Sequence, residues 1–212
     1  MRCVSQAQGT VSIMAGEVPR ERRVLVVLGG GIGAGKSTVG EVFRRNGFVV
    51  LSADEVGRDV LAVGSPTVDL VARRWPAIVD GGVVDRGALA NIVFADADEL
   101  AALEAMTHPE IRRRLAATLD DVEGPTLVEV PLMGVIEDDD AVRVAVVATP
   151  EVRLARAVAR GGDADDVRRR MMQQPTDEAW AAWADVVVDT NGAWFDTERV
   201  VESVVGELLA DG

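Results

Sequence analysis

Short β-branched runs alternate along the chain with stretches in which apolar residues return every three or four positions. "RVLVVL", Arg23 to Leu28, is a tight apolar run closed by glycine, and its length and branching predict a buried strand. From Ser37, "STVGEVFRRNG" sets Val39, Val42 and Phe43 on one helical face and stops at Asn46-Gly47. Four more runs predict strands: "FVVL" (48–51), "TLVEV" (126–130), "VRVAVVA" (142–148) and "DVVVD" (185–189). Between Val50 and Thr126 the period is mostly helical, most clearly in "ADELAALEAMTHPEIRRRLAATL". "DGGVVDRG" predicts a turn-rich connector, and "RGGDADDVRRR" a polar, mobile loop leading into a helix.

Strands alternating with helices build a parallel sheet covered on both faces. The expected class is therefore α/β, a five-stranded parallel sheet flanked by helices, with an inserted helical lobe and a lid segment. The expected organisation is a disordered extension over 1–22 and a single domain over 23–212. Within that domain the core spans 23–57 and 124–212, the helical lobe about 58–123 and the lid about 156–180.

Composition narrows the partners. Hydrophobic residues make up 48% and charged residues 27%, ordinary for a globular enzyme. A net charge of −13 argues against nucleic acid or an anionic membrane as the main partner, but leaves room for a small anion where positive charge is concentrated. The one cysteine, Cys3, cannot form an internal disulfide, so a reducing, cytoplasmic setting is expected. No apolar run approaches the roughly 18 residues of a membrane span. The opening segment lacks the continuous apolar stretch of a secretory signal, and Met14 is a second candidate initiator.

Gly30, Gly35, Lys36 and Ser37 satisfy G-x-x-x-x-G-K-[ST], in the required order of strand, loop and helix. Glycines let successive amides turn inward around a phosphate, and the following helix adds its positive end. The cradle to expect runs over Gly31, Ile32, Gly33, Ala34, Gly35, Lys36, Ser37 and Thr38, with Lys36 on the β- and γ-phosphates and the Ser37 hydroxyl on Mg²⁺. A plain glycine-rich turn or a dinucleotide loop is the alternative, but the latter has no use for the Lys-Ser pair. A GTPase would carry N-K-x-D, and no Asn-Lys pair occurs. A motor or ring ATPase would be longer. Small size, a helical insert and arginines after the fourth strand suit a P-loop kinase acting on a small molecule.

The second strand runs into "SADEVGR", and parallel-sheet geometry is expected to put Asp54 at the carboxyl edge beside the loop. Phosphoryl transfer to a hydroxyl needs such a carboxylate, to deprotonate the acceptor or to hold Mg²⁺ through water. Capping of the next helix is the alternative role. Arg153, Arg156 and Arg160 share one helix face. They form either a solvated charged surface or a lid that stabilises the transferring charge, with Arg156 the catalytic candidate and Arg153 a nucleotide contact.

These residues resemble the dephospho-CoA kinase family. Its "LTGGIGxGKST" is matched by "LGGGIGAGKST", which departs only at Gly29, and its "VIDADxIxR" by "VLSADEVGR", which keeps Asp54 and Arg58. "GSP" (64–66), "VFAD" (93–96), "THPEIR" (107–112), "VEVPLM" (128–133), "ATPEVRLARAVAR" and "QPTDEAWAAWADVVVDTNG" follow in the family's order. The resemblance, from about Val24 to the C-terminus, implies transfer of the ATP γ-phosphate to the ribose 3′-hydroxyl of dephospho-CoA. It implies Asp54 as base, Arg58, His108 and Arg112 as substrate contacts in an acceptor-binding lobe, and Asn191 bordering the adenine. The implied cofactors are ATP and Mg²⁺, and the implied partner is dephospho-CoA. A monomer or weak homo-oligomer is expected.

The chain also departs from the family pattern. Ser52 and Val135 stand where acidic residues are usual, and Trp180 replaces an arginine for which Arg168 to Arg170 are the nearby substitutes. Two further readings stay open on that account. One is a P-loop kinase for a nucleoside monophosphate or small alcohol; the other is a nucleotide-binding homologue, catalytically impaired, that works as a partner or sensor.

Overall fold

The computed structural model describes residues 2–6, 9–13, 24–136 and 138–210. In chain order its first elements are β1 (Arg2–Gln6), β2 (Gly9–Ile13), β3 (Leu25–Gly29), α1 (Lys36–Arg45), β4 (Val49–Ser52), α2 (Ala53–Val60) and α3 (Pro66–Arg74). There follow β5 (Val79–Asp80), β6 (Val83–Val84), α4 (Arg86–Val93), α5 (Ala97–Asp121), β7 (Thr126–Glu129) and β8 (Val142–Val147). The last are α6 (Pro150–Ala159), α7 (Ala164–Gln173), α8 (Asp177–Trp183), β9 (Val186–Asp189) and α9 (Trp194–Ala210). The chain divides into two compact units, one of residues 1–51 with 122–212 and the other of residues 52–121.

In the first unit the strand order is β1-β2-β9-β8-β3-β7-β4. β3 pairs in parallel with β7 and β8, and β8 with β9. The five expected strands thus form the parallel sheet, with the strand that carries the glycine-rich loop at its middle. Alternation along β8 divides the two faces. Val144 and Val146 join Val26, Leu28, Val39, Val42, Phe43, Val201 and Val205 in the main core, against α1 and α9. Ala145 and Val147 turn the other way, toward Trp180 and Trp183 of α8. α1 stops as expected: Asn46 Nδ2 donates to the Val42 carbonyl, and Gly47 takes φ +90° just beyond.

Two segments of the expected extension are described as strands. β1 and β2 form an antiparallel hairpin, and β2 adds antiparallel to the outer edge of β9, with Val11 opposite Val188. Residues 1, 7–8 and 14–22 of that extension lie outside the described residues.

The second unit has its own core of Val68, Val71, Trp75, Ile78, Val84, Leu89 and Val93. The Trp75 indole N–H donates to Glu99, which also takes Arg74 at 2.8 Å. Part of the connector predicted in "DGGVVDRG" is a hairpin: Gly81 and Gly82, at φ +55° and +80°, join β5 to β6. α5 contains Pro109, which has no N–H for the Ala105 carbonyl four residues back. The Thr107 hydroxyl, nearby, bonds back to the Leu103 carbonyl at 2.9 Å.

Candidate active site

The loop between β3 and α1 is folded tightly against its neighbours. Gly30 and Gly33 take φ +148° and +78°, and a side chain on Gly33 would run into the Arg153 backbone, 2.7 Å from its carbonyl carbon. One loop amide is used internally, Ala34 N–H donating to Gly31 O (3.2 Å), and in the first turn of α1 Thr38 N–H donates to Gly35 O (3.0 Å). The Lys36 ammonium folds over the loop and donates to the carbonyls of Gly30 (2.7 Å) and Gly31 (3.4 Å). Gly35 and Lys36 stand where the loop enters α1, so the positive end of that helix faces the loop.

Arg153 braces the loop from behind. On α6 and only 4% exposed, it donates from Nε to Ile32 O (3.0 Å), from Nη1 to Asp177 (3.0 Å) and from Nη2 to Gln174 (3.3 Å). The same Gln174 oxygen accepts the Ile32 N–H at 2.8 Å. Both backbone groups of Ile32 are thereby held by the α6–α7–α8 segment. Burial raises the Asp177 carboxyl above the ordinary aspartate range, and the Arg153 charge works against that rise.

Arg156, one turn further along α6, is fixed differently. Its Nη1 donates to Thr190 Oγ1 (2.8 Å) and its Nη2 to the Thr190 carbonyl (2.6 Å). Thr190 Oγ1 in turn donates to the Ala34 carbonyl at 2.7 Å. Asn191 closes the adjoining turn, accepting from Thr149 N–H (2.8 Å) and donating from Nδ2 to Asp189 (2.8 Å). Arg160 is exposed at the end of α6. The three arginines expected on one face therefore have three different environments: a buried brace, a held guanidinium and an exposed head.

Glu129 ends β7 beside the loop strand and accepts from the Ser37 hydroxyl at 3.2 Å. Gly40 makes room for it, since a Cβ there would lie 2.5 Å from Glu129 Oε1. A hydroxyl and a carboxylate side by side are hard oxygen donors of the kind Mg²⁺ takes. Sequence reasoning passed over Glu129, Gln174, Asp177 and Thr190. For Glu129 a signal existed, a carboxylate ending the strand next to the loop strand; Thr190 and Gln174 have common polar identities and nothing local to mark them. Among the described residues no cluster of three or more His, Cys, Asp or Glu forms a metal site.

Asp54, Arg58, His108 and Arg112 lie in the second unit. Asp54 is exposed in the first turn of α2. It is not the helix cap: Ser52 fills that place, accepting from Glu55 N–H at 3.3 Å. Serine and aspartate serve equally well as caps. Arg58 is exposed, with Glu55 at 4.0 Å. His108 is half-buried on α5, and Arg112 is exposed one turn on. Val135 is buried. Arg168, Arg169 and Arg170 pair with Asp165 and Asp166 of their own helix, at 2.7, 3.5 and 2.8 Å.

A glycine loop leaving the central strand of a parallel sheet, followed by a helix that opens on Lys36 and Ser37, is the architecture of a P-loop kinase. Known proteins narrow the class. The family model described as "CoaE: Dephospho-CoA kinase" matches residues 24–196. The dephospho-CoA kinase of Frankia casuarinae is 38% identical over 192 residues, covering 87% of this chain and 83% of the relative. That of Syntrophotalea carbinolica is 40% identical over 198 residues, with 87% and 93% covered. The crystal structure of TT1252 from Thermus thermophilus superposes with a TM-score of 0.74 at 33% identity, over 89% of this chain and 99% of that one. The chain belongs to the dephospho-CoA kinase family.

Proposed function

We propose that the chain transfers the γ-phosphate of ATP to the ribose 3′-hydroxyl of dephospho-CoA, giving coenzyme A and ADP. The observation that carries this reading is the braced loop, with Lys36 above it and Ser37 against Glu129, in a chain of this family. In a protein of net charge −13 these groups gather positive charge where a triphosphate needs it.

The loop amides and the N-terminal end of α1 hold the β- and γ-phosphates. Lys36 leaves the carbonyls of Gly30 and Gly31 for phosphate oxygens, and Arg156, aimed by Thr190, meets the charge that develops on the transferring group. Ser37 and Glu129 are the residues that would hold Mg²⁺, which supplies charge neutralisation when bound. Asp54 accepts the proton of the 3′-hydroxyl as that oxygen bonds to the γ-phosphorus, and the bond to the β–γ bridging oxygen breaks to release ADP. Arg58, His108 and Arg112 bind the acceptor, and Asn191 borders the adenine. Arg153 acts through the loop and touches no substrate. Action in the cytoplasm, as a monomer or weak homo-oligomer, belongs to the same proposal.

The test is purified protein with Mg-ATP and a panel of acceptors, followed by ADP release. Turnover with dephospho-CoA, with mass spectrometry locating the new phosphate at the 3′ position, supports the proposal. Turnover only with a nucleoside monophosphate or small alcohol, or ATP binding with no turnover, overturns it.

A further inference from the structure

The two departures at Gly29 and Trp180 are far apart in sequence and meet in space. Trp180 is fully buried on α8, against Ala145, Ala184 and the edge of Trp183, whose ring centre is 5.3 Å away. Its indole lies directly on Gly29, the last residue of β3 before the loop. A Cβ at position 29 would clash with Trp180 Cζ3, and would stand 2.8 Å from Trp180 Cε3 and 2.9 Å from Trp183 Cζ3. No side chain fits at 29 while the indole is in place, and no indole fits where 29 carries one. Among the described residues the Trp180 indole N–H has no hydrogen-bond partner, so the ring is there for its shape.

We propose that Trp180 is a positioning residue for the phosphate loop, and that Gly29 and Trp180 are a matched pair. The proposal rests on the nucleotide-binding reading of that loop. Asp177 and Trp180 are three residues apart and share one face of α8. Asp177 orients Arg153, which holds the Ile32 carbonyl, while the indole seats the same helix on the strand from which the loop departs. α8 thus fixes the loop at two points, through the Arg153–Asp177 pair at Ile32 and by an apolar plug at Gly29. Where the family pattern has an arginine to offer an anion, this chain has a strut. Phosphate charge in this chain is met from the loop, Lys36 and Arg156, and position 180 contributes through geometry alone.

The experiment uses the full chain and ADP as the probe, with affinity measured by calorimetry well below each variant's melting temperature. Trp180→Ala is expected to weaken ADP binding about tenfold, and to raise KM for ATP similarly while leaving KM for dephospho-CoA unchanged. Trp180→Phe, which keeps the bulk and forfeits no hydrogen bond, retains most of the affinity. Trp180→Arg restores the family residue type but puts an unpartnered charge in a sealed site, and binds ADP no better than Trp180→Ala. Gly29→Ala weakens binding on its own, and the double variant Gly29→Ala/Trp180→Ala binds as well as Trp180→Ala alone, because the clash is gone.

Unchanged ADP affinity in a less stable Trp180→Ala overturns the proposal, as do strictly additive effects in the double variant or tighter binding by Trp180→Arg. Should Gly29→Ala not fold, the comparison among Ala, Phe and Arg at 180 decides alone. If the unsubstituted chain binds no ADP, the phosphate-loop reading fails and takes this proposal with it. If it binds ADP but transfers nothing to dephospho-CoA, only the acceptor assignment fails.

Discussion

Replacing Arg153 by methionine keeps a flexible, unbranched stem, shorter than arginine's, and removes the charge and all five donors. Three acceptors then lose a partner: the Ile32 carbonyl, Asp177 and the Gln174 oxygen, the last of which keeps the Ile32 N–H. Breaking a buried ion pair by removing one member costs about 3–5 kcal/mol. Arg153 is buried, but the Asp177 side chain keeps 23% exposure, so water reaches the stranded carboxylate and the low end, about 3 kcal/mol, applies to the pair. The orphaned Ile32 carbonyl adds about 1 kcal/mol or more. The total is a large part of the roughly 5–15 kcal/mol that holds a domain folded. Urea unfolding at pH 7 measures it directly.

The pH dependence of that loss has a definite sign. With Arg153 gone, the Asp177 carboxyl, already raised by burial, rises further. A carboxyl raised in the folded state adds stability at low pH that is lost as pH climbs through its folded value. The deficit of Arg153→Met is therefore largest near neutrality and shrinks toward about pH 4. Arg153→Lys, which keeps a charge for Asp177 but brings one nitrogen where arginine uses three, falls between wild type and Arg153→Met. A methionine variant within 1 kcal/mol of wild type in urea, with ADP affinity intact, would falsify the brace.

Other perturbations separate the chemical roles. Lys36→Ala is expected to lower kcat by about 10²-fold or more with a melting temperature close to wild type, as judged by ADP release and calorimetry. Glu129→Gln should raise the Mg²⁺ concentration needed for half-maximal turnover, seen in a metal titration at fixed ATP; an unshifted titration removes Glu129 from the metal site. Glu110 is held down to about 2 by hydrogen bonds from Arg113 and Arg114 on its own helix. A carboxyl depressed in this way contributes stability above its ordinary value and loses it as pH falls toward 2. Glu110→Gln should therefore be less stable than wild type at pH 7, with urea midpoints converging as the medium is acidified below about pH 4.

The loop, its flanking strand and helix, and the parallel sheet were legible in the sequence because each is written locally. A β-branched run, a glycine spacing and a stop at Asn46-Gly47 need no distant partner to be recognised. Arg153 was harder to read, because helical spacing groups it with Arg156 and Arg160 and cannot tell which of them faces a loop 121 residues away. Trp180 was read as the loss of an arginine, whereas the structure shows its bulk laid on bare Gly29, a relation that no local pattern carries. The hairpin of β1 and β2 escaped notice for a related reason. Its strands are short and mixed in polarity, and the strand on which β2 docks, β9, is more than 170 residues downstream.

Pro109 divides α5 in a way its unbroken span of 25 residues conceals. The missing amide interrupts the ladder of hydrogen bonds one turn after Ala105, leaving the rods on either side joined by backbone continuity more than by mutual support. Deuterium uptake should accordingly proceed in two registers along this helix. The segment anchored near Trp75 and Glu99 would keep its protons on one schedule, and the segment carrying Arg112 to Arg114 on another.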